Sequence, residues 1–263
     1  MARLTDFLLI DSFPHMNCPK PSIHPIWPAR LRSVFEIVMV SGVVSSLLTS
    51  RVFAVVFTVL FGRNHPKLME MDISFFAAYV LFESTIVFII LFMLMKARGE
   101  TLSMLGMRRK QWKTNILLGV LAVPCLLLLS SAVSLFFKHF LPEYALDKNP
   151  LTEMVHSPRQ LILFMIVVII GGGIKEELQR AFILRRFSQH LGGAVTGIVT
   201  WSLIFGAEHY VQGLQGMCSA AILGFIFGIL YLIRGNLILT ITAHAVYNTL
   251  ILLIYWFTIG INK

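Results

Sequence analysis

Apolar runs, most of them close to the length of a bilayer-spanning helix, alternate with short polar stretches along most of this chain. They cover roughly 34–61, 73–95, 114–137, 160–174, 193–211, 216–233 and 237–259. Read as helices, they give seven crossings. Arg51 interrupts the first run, which is then one long tilted helix or two shorter pieces, so eight crossings is the alternative. The fourth run is too short to span alone. It continues through Gly171, Gly172 and Gly173 into Ile174 to His190, which predicts one long helix with a polar lower half. The glycines permit a local distortion just upstream of that polar half. The expected fold is an all-α, polytopic transmembrane bundle of seven or eight spans. A polar segment 1–33 leads into N-terminal transmembrane helices over 34–99 and a core over 100–259.

Composition supports the bilayer reading. The 263 residues are 57% hydrophobic and 13% charged, against roughly 45–50% and about 25% in soluble domains. Spans of this number leave no room for a separate soluble domain. The formal charge of +9 does not point to nucleic acid, because no basic stretch interleaved with aromatics forms a soluble reading module. Topology accounts for it instead. With the N-terminus cytoplasmic, thirteen Lys and Arg fall on the inner side and six on the other, while Arg51, Lys175 and Arg180 lie in or beside apolar segments. The expected location is the plasma (inner) membrane, multi-pass, with anionic lipid headgroups as partners of the basic loops. Trp112, at the end of the basic 96–113 loop, suits an interfacial anchor.

Residues 1–33 are polar and proline-rich and lack the features of a cleaved secretory signal, so the first apolar segment is expected to remain in the mature protein. Cys18, Cys125 and Cys218 share no metal-binding or redox spacing. His15, His24, His65, His139, His156 and His190 lie in loops or near segment ends and read as solvated.

Candidate chemistry sits in the C-terminal half. Charged groups in a bilayer interior cost roughly +2.5 to +3.5 kcal/mol each on insertion scales, so they persist when paired, hydrated or functional. Glu176 and Arg180 stand one helical turn apart, with Glu177 about 100° away from Glu176. Phe205 and His209 form a second one-turn pair, with Glu208 beside it, and His244 and Asn248 a third. Three such pairs on three segments suggest a common centre. A buried carboxylate can act as general base, with His209 sharing the proton. Neutral His244 and the Asn248 amide can donate to a developing oxyanion. No serine or cysteine nucleophile is called for, and neither GxSxG nor HExxH occurs. No cofactor is expected. A metal held by His209, His244 and a carboxylate is an alternative.

These residues resemble the CPBP family of membrane proteases, which joins type II CAAX prenyl endopeptidases with bacteriocin-processing (Abi) proteins. The likeness rests on Glu176-Glu177-Leu-Gln-Arg180, Phe205-Gly-Ala-Glu-His209 and His244-Ala-Val-Tyr-Asn248. Leu105-Gly106-Met107-Arg108, Gln212-Gly213, Gly224, Gly228 and Arg234-Gly235-Asn236-Leu237 add to it, over roughly 100–255. The resemblance implies a glutamic-type intramembrane endopeptidase acting on a membrane-associated or lipidated protein or peptide. Glu176, Glu177 and His209 would activate water, His244 and Asn248 would form the oxyanion hole, and Arg180 would hold the carboxylates. The spacing departs from the family pattern by one residue, so counting back from Arg180 puts Lys175 at the usual first Glu position. Glu176 still reaching the site through a helix shift is the preferred repair, and Glu208 is the alternative base. An inactive site, in a relative that only binds a peptide or partner, is the competing function. A proton-coupled transporter fits less well, because all the polar residues lie in one half of the chain.

Overall fold

The computed structural model describes residues 26–62, 72–108 and 110–258. Cys18, His15, His24 and His65 therefore lie outside the described residues. The order of helices is α1 (Ile26–Val40), α2 (Gly42–Phe61), α3 (Ile73–Ala97), α4 (Trp112–Phe140), the short α5 (Pro150–Glu153), α6 (Pro158–Val167), α7 (Glu176–His190), α8 (Ala194–Glu208), α9 (Gly213–Arg234) and α10 (Leu237–Thr258). Among the described residues the architecture is all-α.

The first apolar run is two helices, and the break falls at Ser41, not at Arg51, which sits inside α2. Ser41 turns its Oγ back to accept no cap bond; it donates to the carbonyl of Val38. Elsewhere the ends follow local chemistry. Asp72 caps α3 by accepting from the Ser74 amide. Ser157 caps α6 ahead of Pro158, which occupies the first turn where its missing N–H costs nothing. Four stretches, α3, α4, Tyr210–Arg234 and α10, are each long and apolar enough to cross a membrane. With the composition, these make the chain an integral membrane protein.

The long helix predicted across the three glycines is present, but it is not α-helical throughout. Val168–Lys175 forms a π-helical segment joining α6 to α7, and the Glu176 amide donates to the Gly171 carbonyl five residues back. An eight-residue π segment is unusual, since such geometry mostly appears as single turns, often at functional sites.

The segment is wedged among neighbours. A Cβ on Gly171 would sit 2.9 Å from Val80 Cγ1 of α3, and one on Gly173 would sit 2.7 Å from Ala245 Cβ of α10. Small residues permit the same close approach at Gly119, against the backbone of Leu239 and Ala243, and at Gly206, against Met217 and Ala221.

Helix α7 lies at the centre although it is the most polar of the long helices. Leu178, Ala181, Phe182, Ile183 and Leu184 are buried with Ile198, Trp201 and Phe205 of α8, Leu91 and Met95 of α3, and Ile37 and Val40 of α1. Its buried arginines take part in ion pairs instead of meeting solvent. Arg186, fully buried, donates through Nε to Glu36 of α1 at 2.6 Å and through Nη2 to Glu100 at 2.7 Å. Arg98 donates to the same Glu36 at 2.8 Å, and Arg185 to Glu100 at 2.8 Å. Arg185 and Arg186 are thus not simple loop charges: they fasten α7 to α1 and to the turn after α3.

Candidate active site

Glu176 opens α7 and faces a cavity of about 1070 Å³. His209, Glu208, His244, Asn248 and Lys175 line the same cavity, so residues from α7, α8 and α10 meet there as the sequence pairs suggested. The apolar Phe76, Tyr79, Val80, Phe164, Val168 and Leu252 line the same cavity.

The two histidines are each held by specific neighbours. His209 ends α8, and its Nδ1 lies 2.8 Å from the Phe205 carbonyl. A carbonyl only accepts, so Nδ1 carries the proton and Nε2 keeps its lone pair in neutral His209. The Phe205 and His209 rings are 4.6 Å apart. His244 stacks on Phe227 at 4.6 Å, with 20° between the ring planes. Its Nδ1 lies 2.8 Å from Glu177 Oε1, and its Nε2 lies 3.7 Å from Glu176 Oε2. One imidazole is thus placed between the two adjacent carboxylates.

The carboxylates have different surroundings. Glu177 is 1% exposed, bonded to Arg180 as well as to His244, and does not line the cavity. Arg180 itself lies between two rings, 5.2 Å from Phe205 and 5.4 Å from Phe227. Arg180 therefore pairs with Glu177 at i+3 and not with Glu176 at i+4, the pair expected from helical periodicity. Neighbours three and four apart share a helix face, and the choice is made from outside α7: His244 of α10 reaches Glu177, and Phe205 and Phe227 flank Arg180, while Glu176 faces the open volume.

The oxyanion pair also differs in detail from expectation. With Glu177 ionised beside Arg180, the single N–H of a neutral His244 is taken by Glu177, and Nε2 can donate only when the ring carries both protons. Asn248 lies close by: a Cβ built on Gly172 would be 2.5 Å from Asn248 Nδ2 and 3.8 Å from His244 Nε2. The bare Cα of Gly172 makes room for both groups.

Lys175 does not point away into lipid or loop. It is 9% exposed and donates to Glu83 Oε2 of α3 at 2.9 Å. Glu83 lines the cavity too, and sequence reading passed over it. The available signal was a lone carboxylate at position 83 in an otherwise apolar span.

Among the described residues, no three His, Cys, Asp or Glu side chains are grouped to hold a metal ion. No curated protein and no solved structure matches the chain. Residues 158–250, which contain all three motifs, match the family model described as Type II CAAX prenyl endopeptidase Rce1-like, the family that those motifs resemble.

Proposed function

We propose that this protein is an intramembrane endopeptidase that hydrolyses a peptide bond of a membrane-associated or lipidated protein or peptide. The observation that carries the reading is the convergence of Glu176, His209, His244 and Asn248 on one cavity that is otherwise lined largely by apolar side chains.

In this reading a water lies between Glu176 and Nε2 of His209. One of these groups removes a proton as the water oxygen bonds to the peptide carbonyl carbon, and the carbonyl π electrons move onto oxygen. Doubly protonated His244, through Nε2–H, and Asn248, through Nδ2–H, donate to that oxyanion. The proton then passes to the departing amide nitrogen as the C–N bond breaks, leaving a carboxylic acid and an amine. Glu177 and Arg180 stay behind the site, where they fix the His244 ring. Glu208 remains the substitute base.

Proteoliposomes carrying the pure protein and a library of membrane-anchored peptides test the proposal. Glu176→Gln and His209→Ala are each expected to lower kcat about 10²–10⁴-fold, and Asn248→Ala about 10²–10³-fold. Cleavage by Glu176→Gln at the wild-type rate would remove Glu176 as the base, and the same test on Glu208→Gln would then decide the alternative.

A further inference from the structure

Bonds between helix ends fix which ends share a face of the bundle. Arg98, just past α3, donates to Ser33 and Glu36 of α1, and Arg186, near the end of α7, donates to Glu36 and Glu100. The Leu237 amide, opening α10, donates to the Gly106 carbonyl at 3.0 Å, and Arg234, closing α9, donates to Asn115 near the start of α4 at 2.9 Å. The first ends of α1, α4 and α10 and the last ends of α3, α7 and α9 therefore lie on one face. On the opposite face, the Leu146 amide in the loop after α4 donates to Gln215 at the start of α9 at 2.7 Å. Phe57 of α2 meets Phe75 of α3 edge-on, with centroids 4.7 Å apart, so α2 ends where α3 begins and α1 with α2 make one crossing.

The cavity extends from the candidate site toward that opposite face. Its lining takes Phe76 to Glu83 from the first half of α3, Asn149 and Thr152 from the loop after α4, and Tyr210 to Gln212 from the turn after α8. From α10 it takes His244 and residues that follow it, as far as Leu252. None of the described residues in 98–113, 185–193 or 234–238 lines it. Toward the first face the bundle is closed. Leu91, Leu105, Phe182, Leu184 and Leu237 are completely buried there in one core, and Arg186 packs over the Phe182 ring at 4.2 Å.

The closed face is also the basic one. Lys96, Arg98, Arg108, Lys110, Lys113 and Arg234 lie there, against Lys138, Lys148 and Arg159 among the described residues of the open face. Short connections rich in Lys and Arg stay on the cytoplasmic side of a membrane. We propose that the cavity opens to the non-cytoplasmic face, and that its substrate is a membrane-anchored peptide presenting the cleavage site on that side, an exported chain and not a cytosolic tail. A peptide arriving from the cytoplasm would have to pass a close-packed core. The identity of the substrate rests on the endopeptidase reading above; the sidedness of the cavity does not.

Thiol labelling tests the sidedness without any need for activity. In a background with Cys18, Cys125 and Cys218 replaced by alanine, single cysteines are placed at Lys148 in the open-face loop, at Lys110 in the basic loop and at Ser219 in the cavity wall. Lys148→Cys and Ser219→Cys are expected to react with a membrane-impermeant maleimide added to intact cells, and Lys110→Cys only after permeabilisation. Val211→Cys, also in the cavity wall, repeats the measurement if Ser219→Cys does not fold. Labelling of Lys110→Cys from outside, with Lys148→Cys protected, overturns the orientation. Labelling of the cavity cysteine only after permeabilisation, or in neither condition, overturns the entry route. A soluble peptide substrate is then expected to be cleaved by intact cells, relative to cells carrying Glu176→Gln, and spared by sealed inverted vesicles; the reverse overturns the substrate assignment. If the wild-type protein cleaves nothing from either side, the endopeptidase reading and the exported substrate fail together, while the labelling pattern still decides on which side the cavity opens.

Discussion

Gly172 separates site geometry from stability more cleanly than any of the charged residues. In Gly172→Ala the new Cβ meets Asn248 Nδ2 at 2.5 Å, whereas ordinary contact begins near 3.4 Å. The amide must therefore retreat by about 1 Å from the place where it donates, and a misplacement of that size costs about 10²-fold in rate. Stability should respond differently. The displaced atom is the end of a side chain, not backbone, and alanine favours helical backbone over glycine by about 1 kcal/mol. Thermal unfolding in detergent should then occur at or above the wild-type temperature while kcat collapses.

Gly173→Ala is the control. Its Cβ would meet Ala245 Cβ at 2.7 Å and Ala245 Cα at 3.2 Å, so helices must part and stability must fall. Peptide cleavage by Gly172→Ala within about threefold of wild type, in protein that melts normally, would refute the placing of Asn248 at the reacting carbonyl. A melting temperature lowered as much as in Gly173→Ala would refute the argument about what gives way.

Two further outcomes concern the charges that fasten α7. Arg186→Met leaves the carboxylates of Glu36 and Glu100 without their central partner, and breaking a buried pair from one side costs about 3–5 kcal/mol, measurable by denaturant unfolding in mixed micelles. Glu100, in the turn after α3, is pushed upward by burial but more than compensated by hydrogen bonds from Arg186 and Arg185, which hold it down at about 2. Its contribution is fully present above the ordinary carboxylate value of 4.5 and is lost as pH falls toward 2. An acid-unfolding curve should therefore lose, in Glu100→Gln, the part of its slope that falls in that window.

The apolar runs made the helices legible, because an integral membrane chain must satisfy its backbone within each segment. Helical periodicity also drew Phe205 and His209, and His244 and Asn248, onto shared faces, and both pairs stand at one site. It failed at Glu176 and Arg180 because positions three and four apart share a face, so spacing alone does not choose between Glu177 and Glu176; His244 from another helix makes the choice. The π segment was hidden because glycines signal only that distortion is possible. Glu36, Glu83 and Arg186 were invisible for a related reason. Each has a partner on a distant segment, at separations of 92 residues for Glu83 with Lys175 and 150 for Glu36 with Arg186, and spacing along one helix reveals no such pairing. The break at Ser41 was likewise hidden behind the more conspicuous Arg51.

The π segment also changes what chain length means in this protein. In a uniform α-helix, removing one residue turns everything downstream by about 100° and ruins whatever faced inward. Here the wider turns between Val168 and Lys175 hold slack that such a deletion takes up as the backbone tightens toward α geometry. A one-residue deletion at the glycines would then leave Glu176 facing the open volume and Glu177 gripping the histidine. The segment makes the site tolerant of a length change that would disable it in a regular helix.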